Sequence, residues 1–175
     1  MKTALTTATI LSWFNIIFWG LIGAFAVIAS LAAFNLPVLA SAVLLSSVPL
    51  NSYAALKLQA SIRNPKLPLS HQTPVGIRFV GFMALFFGMM WISKGVVLFK
   101  NGSETQAAIN EQLGQISKLF QQFPSFAEFK NIREPDIAHL SGIFSLILGL
   151  CVVVNVVLNL RLLRWYYLVR KSDVS

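Results

Sequence analysis

The sequence predicts an all-α membrane protein: four transmembrane helices with an amphipathic extracytoplasmic helix between spans three and four. Three observations lead to this prediction. Hydrophobic residues make up 56% of the chain and charged residues only 11%, whereas about 25% of the residues in an average soluble protein are charged. The apolar residues form four stretches, each near the length of about 20 residues that a bilayer crossing requires. The charged residues collect outside those stretches or at their edges, apart from one lysine.

Each apolar stretch is expected to be one helix, because only helices and closed barrels satisfy every backbone polar group in lipid. The predicted spans cover residues 12–34, 38–56, 78–99 and 138–160. A cytoplasmic loop at 57–77, rich in prolines, and an extracytoplasmic segment at 100–137 connect them. We expect the whole chain, residues 1–175, to form a single membrane domain.

Spans one and two are predicted to form an antiparallel hairpin, because the link between them is only about three residues long. Pro49 falls inside span two, where its ring clashes with the carbonyl of Leu45 and a kink is expected. Ser46 and Ser47 stand next to it and are expected to satisfy the carbonyls that the proline frees. A structural kink is the simpler interpretation, and a hinge for transport is the alternative.

The distribution of charge predicts the orientation in the membrane. Basic residues flank the loop at 57–77 and follow span four, while residues 100–136 hold four basic and five acidic residues. Positive charge marks the cytoplasmic side, so both termini are predicted to be cytoplasmic. The net charge of +8 therefore indicates contact with lipid headgroups rather than with nucleic acid.

The extracytoplasmic segment carries the pattern of an amphipathic helix. Ser103 and Gln106 have the spacing of a capping box, and Pro124 follows the last apolar position. One apolar stripe runs along the predicted helix. It consists of Ile109, Leu113, Ile116, Phe120 and Phe123. This stripe either lies on the membrane or on its own bundle, or docks a partner, and its five residues are the candidate partner-binding residues.

Three polar side chains within the spans are candidates for a function. Lys94 lies near the outer end of span three, where it either snorkels to the interface or binds an anionic group. Asn155 and Asn159 are four residues apart and share one face of span four. They either hydrogen-bond to other helices or line a polar path. Asn15 and Asn51 are the other amides in the spans.

Small residues recur at the spacing of helix contacts in spans three and four. They allow helix backbones to approach closely, which is how helices associate within lipid. The candidate packing residues are Gly81, Gly88 and Gly95 in span three and Gly142 and Gly149 in span four. This pattern predicts that the two spans pack together, and it is compatible with self-association.

The sequence contains no recognisable catalytic, metal-binding or nucleotide-binding motif, so we expect no enzymatic activity, metal or cofactor. All six acidic residues lie outside the spans, which argues against an ion-coupled pump. The sequence favours a non-catalytic accessory, scaffold or interaction subunit of a membrane complex. Its expected partners are the lipid bilayer and another membrane protein or a second copy of the chain. The alternative is a small oligomeric channel or transporter with a polar lining from spans three and four.

Overall fold

The computed structural model describes residues 2–32, 36–64, 66–67, 69–100 and 137–172. These residues form four α-helices, which we number in chain order. They are α1 (Lys2–Ala32), α2 (Leu36–Arg63), α3 (Gln72–Lys100) and α4 (Ile137–Ser172). All four are long and apolar enough to cross a membrane. For the described residues, the prediction of a helical protein with four candidate membrane spans is confirmed.

The segment predicted to form an amphipathic extracytoplasmic helix lies outside the described residues. The candidate partner-binding stripe, from Ile109 to Phe123, lies there as well. Both stay predictions, and the connection between α3 and α4 has no structural description.

The helices are longer than the predicted spans. Helix α4 has 36 residues, about 54 Å at 1.5 Å per residue, which exceeds the roughly 30 Å hydrocarbon core of a bilayer. Hydropathy marks the apolar part of a helix, whereas backbone hydrogen bonding continues into the polar ends. Helix α2 therefore extends beyond the predicted limit of span two, as far as Arg63.

The predicted loop at 57–77 is shorter in the structure because helices enter it from both sides. Helix α3 begins at Gln72, so Pro74 lies in its first turn. The first N–H groups of a helix have no partner within the helix, so a proline there loses no hydrogen bond. Only residues 64–71 lie between the two helices.

Contacts divide the chain into two units, of which the first comprises Met1–Met90 and Gly149–Ser175. Within it, neighbouring helix segments run in opposite directions. A Cβ atom added at Gly20 would lie 3.8 Å from Pro49, and one at Gly23 would lie 2.8 Å from Leu45, so α1 and α2 are antiparallel. Five buried residues from all four helices form an apolar layer at the end that holds the start of α1. These are Ala8, Leu58, Ile77, Leu162 and Leu163.

Helix α2 continues through Pro49, with hydroxyl bonds in the turn before it. Ser46 Oγ donates to the carbonyl of Ala42 at 2.8 Å, and Ser47 Oγ donates to that of Leu44. Neither bonds to the carbonyl of Leu45, contrary to the expectation from sequence. A serine hydroxyl in a helix reaches the carbonyl three or four residues back, and Leu45 is closer than that to both serines.

The second unit comprises Trp91–Leu148, of which residues 91–100 and 137–148 are described. Its two helix segments, from the end of α3 and the start of α4, lie against each other. The Phe99 and His139 rings are in edge contact at 5.5 Å between centroids. A Cβ atom added at Gly95 would lie 2.7 Å from the Leu146 side chain, so the two segments run in opposite directions.

Candidate functional site

Seven buried polar side chains in the first unit form what we call the polar layer. Each is at most 1% exposed. They are Ser12 and Asn15 on α1, Asn51, Ser52 and Gln59 on α2, and Asn155 and Asn159 on α4. A buried polar group is costly unless it is hydrogen-bonded, so the partners of these side chains decide what the layer does.

Asn155 is the centre of the polar layer because its amide joins three helices. Its Oδ1 accepts hydrogen bonds from Ser12 Oγ on α1 at 3.1 Å and from Asn159 Nδ2 at 3.0 Å. Its Nδ2 donates to Ser52 Oγ on α2 at 3.1 Å. One side chain thus ties α1 and α2 to α4.

Gln59 adds a second set of connections between the same helices. Its Nε2 donates to Asn159 Oδ1 at 3.0 Å and makes a longer bond of 3.4 Å to Ser12 Oγ. Gln59 was not among the predicted site residues, because position 59 fell in a predicted loop, whereas in the structure it lies in α2. The spacing of the sequence would have indicated its position. Ser52 and Gln59 are seven residues apart, and residues two helical turns apart lie on the same face of a helix.

Some atoms of the polar layer have no hydrogen-bond partner among the described residues. They are both polar atoms of the Asn15 amide, Asn51 Oδ1 and Gln59 Oε1. A Cβ atom at Gly81 would lie 3.1 Å from Asn51 Oδ1, so this glycine on α3 leaves room for the amide. The polar layer therefore has more hydrogen-bonding capacity than its own side chains use.

Apolar side chains lie on both sides of the polar layer. One helical turn before Ser12 is Ala8, which belongs to the apolar layer described above. One turn beyond Asn15 is Trp19, which is fully buried and meets Phe87 edge-to-face with 5.1 Å between ring centroids. The polar layer thus consists of neutral amides and hydroxyls between apolar residues. Such groups can join helices or bind a neutral polar molecule, but they supply no acid or base that titrates near neutral pH.

Four of the five candidate packing glycines lie where the backbones of α3 and α4 approach, whereas Gly81 lies nearest to Asn51 of α2. In the first unit, a Cβ atom at Gly88 would be 3.2 Å from the backbone oxygen of Gly149. In the second unit, one at Gly95 would be 2.8 Å from the backbone oxygen of Gly142, and one at Gly142 would be 3.2 Å from that of Gly95. Any side chain at these glycines would press on the backbone of the facing helix.

Lys94 is exposed on α3 in the second unit, whereas Asn155 and Asn159 lie in the polar layer of the first. The Lys94 ammonium lies 5.6 Å from the centroid of the Trp91 ring, within the range of a cation–π contact. The structure thus joins the two asparagines by a hydrogen bond and gives the lysine a different environment.

Among the described residues, no group of three or more His, Cys, Asp or Glu side chains is arranged to hold a metal ion. Comparison of the chain with protein-family models, with curated proteins and with solved structures finds no match.

Proposed function

We propose that this chain is a non-catalytic integral membrane protein that acts as an accessory, scaffold or interaction subunit of a membrane complex. The observation that carries the proposal is the internal pairing of the polar layer. Asn155 uses its amide oxygen and nitrogen to bond three other side chains of the same layer. These groups hold helices together, which is a structural role.

The chemistry of the polar layer also favours a non-catalytic role. General acid–base and nucleophilic catalysis need a titratable or activated side chain at the reacting atoms. The seven residues of the polar layer offer only amides and hydroxyls. The surfaces free for interaction are then the outer faces of the helices and the predicted extracytoplasmic helix.

The predicted partner surface is the apolar stripe of that helix, and its removal tests the proposal. We expect Ile116→Ser combined with Phe120→Ser to abolish co-purification of a partner in mild detergent, because each buried apolar side chain contributes about 1.5–3 kcal/mol. The matched control is Gln112→Ser with Gln115→Ser, on the polar face of the same predicted helix. Pull-down from crosslinked membranes, followed by mass spectrometry, identifies the partner or shows a second copy.

The two variants together decide the test. Loss of the partner in the apolar variant alone, with an unchanged melting temperature, supports a docking surface. Misfolding of the apolar variant alone would make the stripe a cap on its own bundle. Retention of every partner by both variants would contradict the proposal.

The orientation is part of the proposal, with both termini and the residue 57–77 region in the cytoplasm. We test it with single cysteines at Ser70, which is exposed, and at Ser117, in a Cys151→Ser background. An impermeant thiol reagent applied to intact cells should label the cysteine at 117 and spare the one at 70. The reverse pattern would invert the topology.

A channel or transporter is the second candidate, and the buried Asn15 and Asn51 amides favour it. Their polar atoms without described partners could bind a neutral polar solute. The apolar residues on both sides of the polar layer mean that such a path needs an oligomer or an opened state. Liposomes containing the protein should then take up urea or glycerol faster than empty liposomes, and equal rates would remove this candidate.

A further inference from the structure

A groove with a volume of about 520 Å³ lies between α3 and α4 in the first unit. We call it the arginine groove. Its lining consists of Arg78 on α3 and of Leu160, Leu163, Arg164, Tyr167 and Leu168 on α4. Both arginines are exposed, so their guanidinium groups are accessible to a ligand in the membrane or at its surface.

The arginine groove combines charge with apolar surface in a definite order along α4. Leu160, Arg164 and Leu168 follow one another at steps of four residues and therefore form one ridge of the helix. Leu160 closes the predicted fourth span, and Arg164 lies one turn beyond it. On α3, Arg78 opens the predicted third span. Both charges thus lie where the apolar part of a helix meets its polar end.

Two other basic side chains at this end of the bundle, Arg63 and Lys57, already contact the protein. Arg63 Nη2 donates a hydrogen bond to Thr9 Oγ1 at 2.8 Å. The Lys57 ammonium lies 4.7 Å from the centroid of the Tyr53 ring. All six acidic residues lie outside the described residues. Within the described part of the chain, no carboxylate is therefore present to neutralise Arg78 or Arg164.

We propose that the arginine groove binds the phosphate headgroup of one anionic phospholipid. Guanidinium groups bind phosphate oxygens through paired hydrogen bonds, and two arginines from different helices can hold one phosphate. Leu160 then contacts the start of an acyl chain, since it lies on the membrane side of Arg164. Basic pockets between transmembrane helices are known to take such headgroups. The occupant is a lipid rather than a soluble anion, because the groove continues into apolar surface.

Specific binding in the arginine groove differs from general attraction between basic residues and an anionic membrane. Substitution of Arg161 distinguishes the two. Arg161 is exposed on α4, one turn before Arg164, but it does not line the arginine groove. General attraction depends on charge alone, so it predicts the same effect for each arginine. A bound headgroup predicts an effect for Arg78 and Arg164 only.

The test uses the full chain in neutral detergent, with native mass spectrometry to count bound dioleoylphosphatidylglycerol. We expect one retained lipid, and weaker retention of dioleoylphosphatidylcholine, because its choline cation offsets the phosphate charge and is repelled by the two arginines. Arg78→Gln and Arg164→Gln should each weaken this binding about tenfold, the equivalent of about 1.4 kcal/mol. Arg161→Gln should leave it unchanged. Arg164→Lys should retain part of the binding, because lysine keeps the charge but loses the paired geometry.

Folding is checked by melting each variant without lipid, and the four substitutions should leave the melting temperature unchanged because the three arginines that they replace are exposed. Equal losses for Arg78→Gln, Arg164→Gln and Arg161→Gln would overturn the proposal in favour of general attraction. Displacement of the lipid by an equal concentration of inorganic phosphate would also overturn it, because the groove would then bind phosphate alone.

Discussion

The polar layer of the first unit and the glycine contact of the second hold helices together by different means. In the polar layer, Ser12 and Asn155 bond across 143 positions of the sequence. In the second unit, Gly95 and Gly142 bring two backbones together, without side chains between them. Lipid tails are as apolar as leucine, so neither contact depends on the hydrophobic effect that drives folding in water.

The two kinds of contact differ in how well they tolerate an amino-acid substitution. A hydrogen bond between transmembrane helices contributes about 0.6 kcal/mol on average, so the polar layer spreads its stabilisation over several bonds. A glycine contact requires two backbones to approach closely, so even one added carbon atom overlaps atoms of the facing helix. We therefore expect the largest effect at a glycine of the second unit, a smaller one at Asn155, and the smallest at exposed Lys94.

Gly95→Ala should cause the largest loss of stability. Its Cβ atom would lie 2.8 Å from the Gly142 oxygen and 2.9 Å from the Leu146 nitrogen, closer than such atoms approach. We expect a loss of about 3 kcal/mol, at the upper end for overpacking, measured by unfolding in detergent. The matched control is Gly76→Ala in the same helix, where nothing lies within 4 Å. That control should be neutral or stabilising by up to about 1 kcal/mol, and an equal loss in both would contradict the close contact.

Asn155→Ala should lower stability by about 2 kcal/mol, because it removes two hydrogen bonds between helices and a third within α4. The matched control is Asn15→Ala, at an equally buried amide whose polar atoms have no described partner. That change should alter the free energy of unfolding by less than about 1 kcal/mol, since no hydrogen bond is lost. If both variants lose the same amount, volume rather than hydrogen bonding stabilises the polar layer.

Lys94→Met should have the smallest effect, at most about 1 kcal/mol, because an exposed cation–π contact contributes no more than that. Thermal melting in detergent measures the change. A loss above about 2 kcal/mol would instead point to a buried or ligand-bound role for the lysine.

The four long apolar helices of the described residues could be predicted from the sequence, but several of their ends could not. Hydropathy reports which residues prefer lipid, so it identified the apolar core of α4 and not the turns beyond Leu160. Those turns are helical in the structure, as far as Ser172. For the same reason, hydropathy placed Gln59 in a loop, so its hydrogen bonds to Asn159 and Ser12 were not predicted.

The sequence by itself determined four long apolar helices and the spacing that puts Gly88 and Gly95 on one face of α3. These features depend on residues near one another in the chain, because length, hydropathy and helical period are local properties. Only the tertiary structure decided that Asn155 pairs with Ser12 and Ser52 while the Asn15 amide stays outside this network. The reason is that a helix apolar on every side carries little information about which face turns inward. The rotation of each helix is decided by its contacts with the others.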